Sequence, residues 1–223
     1  MACLSRPILS PMARPVFLDC DNTLLDNDAA KAALEARIVA DVSAGAAARF
    51  WELYEIVREA EEYVDFPSTI ARLTLEHPAE AARIERILDE LPYREFVYRG
   101  AFETIEALWR TATPVILSDG DPVFQPRKIE RAGLAAAVRG NVLIYVHKEQ
   151  RLAEVTRRFP GARPVFVDDK ARILGHVERQ LPGAVTIHVR QGSYGTDPVD
   201  GGDPEPDLEI SSIGDLATAI ATV

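Results

Sequence analysis

Short apolar runs, each ending at a polar residue, recur along the chain and predict its strands. Pro15 to Leu18 is the first run, and it stops abruptly at Asp19, as a buried parallel strand would. Four more runs follow Gly100, and a short edge strand is predicted near the end. Their predicted bounds are 114–117, 142–146, 164–167, 184–189 and 208–210. Helical patterns separate these strands, so the chain predicts βαβ units and a parallel sheet.

Residues 26–98 have a different pattern, with almost no strand signal. Ala, Glu, Arg, Leu and Ile dominate this segment. Ser43 is predicted to cap a long helix, and Ser68 and Pro78 mark the starts of two shorter ones. The segment therefore predicts three or four helices, inserted between the first and second strands.

These two patterns predict how the chain is divided. We expect an α/β core, a Rossmann-like parallel sheet built from residues 13–25 and 99–223, and an all-helical insertion over residues 26–98. Met12 lies just before the first strand, so residues 1–12 are interpreted as an N-terminal tail.

Polar side chains follow three of the predicted strands. Asp19 follows the first strand, Ser118 follows the second, and Asp168 and Asp169 follow the fourth. Ligands of open parallel sheets bind at the carboxyl ends of the strands. We therefore expect these groups to meet at one edge of the sheet.

The stretch from Asp19 to Thr23 carries two carboxylates two positions apart. Asp19 can attack a phosphoryl group as a nucleophile. Asp21 can protonate the leaving oxygen and then activate water, a task that one side chain cannot combine with the first. The alternative is an acidic turn, which Asn22 would favour.

Two further motifs are weaker when each is taken alone. Ser118, Asp119 and Gly120 can bind phosphate oxygens through a hydroxyl and backbone N–H groups, although the same triplet is also common in plain turns. Lys148 can offset the repulsion between a carboxylate and a phosphate, although a single lysine is usually at the surface. Lys128 is a competing cation, but its helix is predicted to lie at the surface.

Asp168 and Asp169, together with Asp19, form an oxygen-rich set suited to Mg²⁺. A pair of aspartates after a strand can also simply cap the next helix. That alternative is weakened here, because the same edge already carries two other motifs.

The composition excludes several classes of function. The chain has 223 residues, of which 47% are hydrophobic and 27% charged, and its net charge is −10. An acidic chain does not attract nucleic acid or anionic membranes, and no apolar stretch of about 18 residues predicts a membrane span. Cys3 and Cys20 do not predict a disulfide framework, so we expect a cytoplasmic protein.

Taken in order, the four motifs resemble the haloacid dehalogenase-like hydrolase superfamily. The resemblance covers residues 14–25 and 99–223, and its strongest element is the stretch from Asp19 to Leu24. It implies a helical cap over the site, and a phosphatase-type member that uses Mg²⁺ and forms an aspartyl-phosphate. One departure is that Glu149, and not proline, follows the lysine of the third motif.

The resemblance also implies a role for each residue. Asp19 is similar to the nucleophile and Asp21 to the general acid/base, which also binds metal through its backbone carbonyl. The remaining matches are the phosphate-binding Ser118 with its neighbours Asp119 and Gly120, the loop-steadying Thr23, the charge-neutralising Lys148, and the metal-binding Asp169 beside Asp168.

The expected substrate is a small phosphorylated molecule, because a folded protein would not fit beneath a cap. Family members that cleave carbon–halogen bonds lack an aspartate at the Asp21 position, so its presence favours phosphate esters. Phosphotransfer or mutase chemistry on the same intermediate stays open, as does a catalytically silent binding protein. Phe50, Trp51 and Tyr54 either line the pocket or form the core of the helical insertion. A monomer and a homodimer are both compatible with the sequence.

Overall fold

A six-stranded parallel sheet forms the centre of the protein. The computed structural model describes residues 14–196 and 204–223, so the predicted tail, residues 1–12, lies outside the described residues. The strands are β1 (Arg14–Leu18), β2 (Ala112–Asp119), β3 (Val142–Tyr145), β4 (Val165–Asp168), β5 (Val185–Val189) and β6 (Leu208–Ile210). Their order in the sheet is β3-β2-β1-β4-β5-β6, and every pair is parallel. The predicted α/β class with a Rossmann-like sheet is confirmed.

Four helices between β1 and β2 make up the helical block. They are α1 (Asn27–Asp41), α2 (Ala44–Glu61), α3 (Phe66–Glu76) and α4 (Pro78–Glu90). Side chains cap several of them: Ser43 Oγ accepts from Ala46 N–H at the start of α2, and Asp65 does the same for α3. Such caps satisfy N–H groups that the first helical turn leaves unpaired.

Six further helices are described after residue 100. They are α5 (Ala101–Leu108), α6 (Phe124–Arg131), α7 (Leu134–Ala137), α8 (Leu152–Arg158), α9 (Ala171–Gln180) and α10 (Leu216–Ile220). A 3₁₀ turn, Lys148–Gln150, precedes α8, so the segment after β3 is interrupted and does not form one continuous helix. The interruption has a local cause: the backbone N–H of Lys148 donates to Asp119 Oδ1 at 2.9 Å, which ties the chain to the end of β2.

The two faces of the sheet belong to two apolar clusters. Phe17, Val115 and Phe166 pack on one face beneath α8 and α9. The cluster on the other face starts at Val16 and Leu18 and continues without a break into the helical block. The block therefore shares its core with the sheet, so its helices are placed over one edge of the sheet by continuous apolar packing.

Two further features of the described residues are the length and polarity of the helices and the state of the cysteine. None of the helices in the described ranges has the length and apolar character needed to cross a bilayer. Cys20 is buried and carries a free thiol.

Candidate active site

The three neighbouring strands at the centre of the sheet bring the first polar groups together. The order β2-β1-β4 places the end of β1, followed by Asp19, between the end of β2 and the end of β4. Asp19, Ser118 and Asp168 are all buried. Residues that are far apart in sequence thus meet because parallel strands end at the same edge.

Lys148 lies at the centre of these groups. Its ammonium forms an ion pair with Asp19 and a second with Asp168 Oδ2 at 2.7 Å, and its side chain is 3% exposed. Burial lowers the pKa of Lys148, but the attraction of Asp168 and Asp19 outweighs it, so the pKa lies well above its ordinary value. The lysine is therefore a fixed positive charge beside the candidate nucleophile.

Asp19, Asp168 and Asp169 form a compact cluster of carboxylates. One oxygen from each lies within 4.8 Å of the others. Both side-chain oxygens of Asp169 are buried and lack a hydrogen-bond partner. Burial, together with repulsion from Asp168 and Asp19, raises the pKa of Asp169 to about 9. Unpartnered buried oxygens facing two other carboxylates fit a hard divalent cation, which would satisfy both the charge and the lone pairs.

Asp19 itself is held between opposing influences. Burial raises its pKa to about 7, the attraction of Lys148 acts against this rise, and Asp168 adds to it. A nucleophilic carboxylate must be ionised to attack, and a cation bound by the cluster would favour that ionised form.

Lys170 is a second cation that the sequence did not identify. Burial lowers its pKa, but the attraction of Asp19 and Asp168 outweighs it and the pKa is raised. Its ammonium also lies 5.1 Å from the ring centroid of Tyr194, in the segment that follows β5. Lys170 directly follows Asp169 in sequence, and this adjacency was the only signal in the sequence that Lys170 would lie near the carboxylate cluster.

Asp21 is held apart from the metal-type cluster. Its two carboxylate oxygens accept from Lys128 Nζ at 2.6 and 2.7 Å, and Gln125 Nε2 lies 3.2 Å from Oδ2. The helix α6 has an exposed side, as predicted, but Lys128 lies on its buried side, with a side chain only 5% exposed. Polar residues occupy the buried face of α6, so an apolar pattern could not reveal that face.

The motif at the end of β2 is tied to Asp21 through Gln125. Gln125 Nε2 also donates to Ser118 Oγ at 2.9 Å, so one amide connects the hydroxyl and the carboxylate. Gly120 has a φ of +149°, and a Cβ there would approach Gln125 to 2.8 Å. The N–H of Gly120 donates to the Tyr145 carbonyl, and Asp119 Oδ1 accepts from the Lys148 backbone. The Ser118 hydroxyl also donates to the Asp119 carbonyl at 3.1 Å, and Ser118 is buried.

The loop after Asp21 is shaped by Asn22 and Thr23. Asn22 has a φ of +61°, and its Oδ1 accepts from the N–H groups of Asn27 and Asp28, which begin α1. Thr23 is fully buried, and its carbonyl accepts from Gln191. Thr23 thus lies within the loop and not on the open face of the site.

Behind the metal-type cluster, His188 positions one of its members. His188 is buried on β5, and its Nε2 lies 2.9 Å from the carbonyl oxygen of Asp169. No motif in the sequence points to this histidine. It lies inside a strand that appears only as an apolar run, so local pattern gave no indication of its contact.

A cavity of about 170 Å³ separates the helical block from this edge of the sheet. Asp21, Asp119, Gly120 and Lys170 line its floor. The two alternatives for the aromatic residues of α2 both apply: Phe50 is fully buried in the apolar core, whereas Tyr54 lines the cavity.

Comparisons with known proteins identify a family. No family model matches the chain, and no curated protein matches it. Among solved structures, a haloacid dehalogenase-like hydrolase of Burkholderia xenovorans LB400 is 39% identical, with a TM-score of 0.87, covering 95% of this chain and 98% of that one.

Two more distant structures share the fold alone. An L-2-haloacid dehalogenase of Xanthobacter autotrophicus, solved with chloropropionic acid covalently bound, is 17% identical with a TM-score of 0.62 and covers 94% of this chain and 99% of that one. YfnB of Bacillus subtilis, a HAD-hydrolase solved bound to magnesium, is 18% identical with a TM-score of 0.60 and the same coverage. The identity, the coverage and the shared fold of the Burkholderia structure establish that this chain belongs to the haloacid dehalogenase-like hydrolases.

Proposed function

We propose that this hydrolase is a Mg²⁺-dependent phosphatase that cleaves a small phosphomonoester through an aspartyl-phosphate on Asp19. The observation that carries the proposal is the division of the carboxylates into two sets. Asp19 belongs to a buried cluster with Asp168 and the unpartnered Asp169, whereas Asp21 is held apart by Lys128. Phosphoryl transfer needs both sets, one for attack beside a cation and one for proton transfer.

The first step joins Asp19 to phosphorus. The carboxylate oxygen of Asp19 attacks, the bond from phosphorus to the ester oxygen breaks, and Asp21 supplies the proton that the leaving alkoxide needs. Lys148 lies against Asp19 and offsets the repulsion between the carboxylate and the incoming phosphate. To hold a phosphate oxygen near the end of β2, the Ser118 hydroxyl would turn away from the Asp119 carbonyl to which it donates.

The second step returns Asp19 to its free form. Asp21, now ionised, takes a proton from water, the water oxygen bonds to phosphorus, and the bond to the Asp19 oxygen breaks. Asp19, Asp168 and Asp169 would hold Mg²⁺, which when bound supplies charge neutralisation for the phosphoryl oxygens.

Asp21 also argues against cleavage of a carbon–halogen bond. A halide leaves without a proton, whereas an alkoxide does not. A displacement at carbon gives no role to a proton donor held by a buried lysine and an amide. The dehalogenases among the structural neighbours share the fold at low identity, so they do not favour that reaction here.

The test is release of phosphate from an aryl phosphate and from acetyl phosphate with Mg²⁺. We expect Asp19→Asn to lower kcat by about a thousandfold or more, because an amide cannot form the intermediate. Asp41→Asn, an exposed aspartate on α1, is the matched control and should retain full activity.

Each alternative has its own outcome in this test. Phosphate appearing on an added alcohol, and not in solution, would indicate a phosphotransferase. Binding of Mg²⁺ with no release of phosphate would indicate a silent protein of the same fold. Activity of Asp19→Asn within about tenfold of the parent would remove Asp19 from the mechanism.

A further inference from the structure

The cavity between the helical block and the sheet edge restricts the leaving group that the site can accept. Its floor is formed by Asp21 and Lys170, and its roof by Ala30 and Leu34 of α1 and Tyr54 of α2. Asp21 lines this space, so a leaving group that Asp21 protonates would extend into it. The lining of the cavity therefore indicates the chemistry of the leaving group.

Aromatic and aliphatic side chains form most of the walls. Phe66 of α3 and Phe124 of α6 meet across the cavity edge with ring centroids 4.7 Å apart and an interplanar angle of 66°. Tyr54 and Tyr93 continue this wall, with centroids 5.6 Å from Phe66 and 6.1 Å from Phe124 respectively. Such edge-to-face surfaces favour a flat or compact apolar group.

Several polar groups of the lining are already engaged with one another, whereas the ammonium of Lys31 lies over the rings of Trp51 and Tyr54. Lys128 binds Asp21 and Asn27, and Gln125 binds Asp21 and Ser118.

Tyr93 and Asp121, which also line the cavity, are likewise engaged in hydrogen bonds. The Tyr93 hydroxyl donates to the Leu88 carbonyl at 3.0 Å, and Asp121 Oδ1 accepts from the N–H groups of Val123 and Phe124. A sugar or other polyol entering this space would lose water from the hydroxyls that face these engaged groups and the aromatic walls, which is costly.

The volume of the cavity also restricts the size of the leaving group that can be buried in it. An apolar cavity of roughly 150 Å³ holds a benzene molecule. The cavity here, at about 170 Å³, holds one ring with little to spare. The cavity is partly open to solvent, so a nucleoside, with a base and a ribose, would extend beyond it and bury only part of its surface.

We propose that the substrate is a phosphomonoester whose leaving group is compact and largely apolar, of about the size of one ring, as in an aryl or short alkyl phosphate. The proposal rests on the proposed phosphatase function for the reaction, but the aromatic walls of the cavity define the ligand class by themselves. Sugar phosphates and nucleotides are expected to be poorer substrates, because their hydroxyls would face these walls.

The test measures binding without turnover. Phenylphosphonate and methylphosphonate, which cannot be hydrolysed, are titrated by calorimetry into the Mg²⁺-loaded protein. We expect phenylphosphonate to bind about tenfold more tightly or better, because its ring is buried against apolar walls. Equal affinities would overturn the proposal.

Variants of α1 locate the effect. Ala30 is 3% exposed and lines the cavity, so Ala30→Phe, or the smaller change Ala30→Val, should reduce the preference for the phenyl compound. Ala32→Phe, on the exposed side of the same helix, should leave it unchanged. A preference that survives both Ala30 variants would place the ring elsewhere and contradict the proposal.

Turnover separates this inference from the reaction itself. We expect kcat/KM for phenyl phosphate to exceed that for glucose 6-phosphate and AMP by about tenfold or more. A higher value for either of those two would overturn the proposed substrate class. Tight, Ala30-dependent binding of phenylphosphonate with no hydrolysis of any ester would instead remove the phosphatase function and leave the ligand class standing.

Discussion

The charge state of Asp169 depends on what its buried oxygens can meet. Both oxygens lack a hydrogen-bond partner, and burial with the nearby Asp168 and Asp19 raises the pKa to about 9. In the unfolded chain the same group ionises near its ordinary value. Between these two pKa values the folded state binds more protons than the unfolded state, so stability falls as pH rises.

This electrostatic strain predicts a pH-dependent effect of Asp169→Asn. In chelator, the parent protein should lose stability between about pH 5 and pH 8, and the variant should lose less, because an amide does not ionise. Urea unfolding at the two pH values measures the difference.

Mg²⁺ should stabilise the parent protein against unfolding, but not the Asp169→Asn variant. At about pH 8, added Mg²⁺ should raise the Tm of the parent but not that of Asp169→Asn, because the cation binds the ionised cluster. A variant that gains as much from Mg²⁺ as the parent does would show that Asp169 is not a ligand.

Lys128 shows how a residue outside the reacting groups can control one of them. It holds both oxygens of Asp21 and also reaches Asn27 at the start of α1. We expect Lys128→Met to lower kcat by roughly tenfold with a smaller effect on KM, because Asp21 loses its fixed orientation. Steady-state kinetics of phosphate release measure the effects on kcat and KM separately.

Two further variants make this prediction specific. Lys128→Arg keeps a cation and should recover part of the lost kcat. Arg127→Met, one position earlier on the exposed side of α6, is the matched control and should leave kcat unchanged. Equal losses in Lys128→Met and Arg127→Met would indicate general damage to the helix.

At the scale of elements, Asn22 joins the catalytic loop to the helical block. Its side-chain oxygen accepts from the first N–H groups of α1, and its φ of +61° is one that asparagine tolerates better than most residues. Asn22→Ala should therefore cost about 2 kcal/mol of stability, from the lost cap and the strained backbone together.

A glycine at the same position separates the two causes. Asn22→Gly loses the acceptor but not the backbone freedom, so it should cost about 1 kcal/mol, as the loss of a helix cap does. Urea denaturation measures both variants. If alanine and glycine cost the same, the positive φ contributes nothing at this position.

At the scale of the whole molecule, the sheet and the helical block share one apolar core. One cluster includes Leu18 of β1, Ile38 of α1, Phe50 of α2 and Ile84 of α4. Burying these residues together couples the two parts, because neither can unfold without exposing the other's apolar surface.

We therefore expect one cooperative unfolding transition. The chain has two tryptophans, Trp51 in the helical block and Trp109 after α5, so Trp51→Phe and Trp109→Phe each leave a single local reporter. Fluorescence of the two variants in urea should give midpoints that match each variant's own far-UV circular dichroism. An earlier transition at Trp51 alone would show that the block unfolds independently.

Much of this arrangement was predictable from the sequence, because it depends on short-range periodicity. An apolar run that ends at Asp19 indicates a strand and its end, and three such ends with polar groups predict a shared edge in a parallel sheet. The same reasoning predicted Asp19, Ser118 and the Asp168–Asp169 pair as neighbours, and the close cluster of the three aspartates agrees with it.

Only the tertiary structure shows the contacts between distant residues that no periodic pattern of the sequence predicts. Lys128 and Asp21 are 107 residues apart, and they meet because α6 turns a polar face inward. The burial of Lys170, the link from Gln125 to Ser118 and the volume of the cavity likewise depend on how separate elements pack. Periodicity specifies which residues form an element, whereas the rotation of that element about its axis is set by everything packed around it.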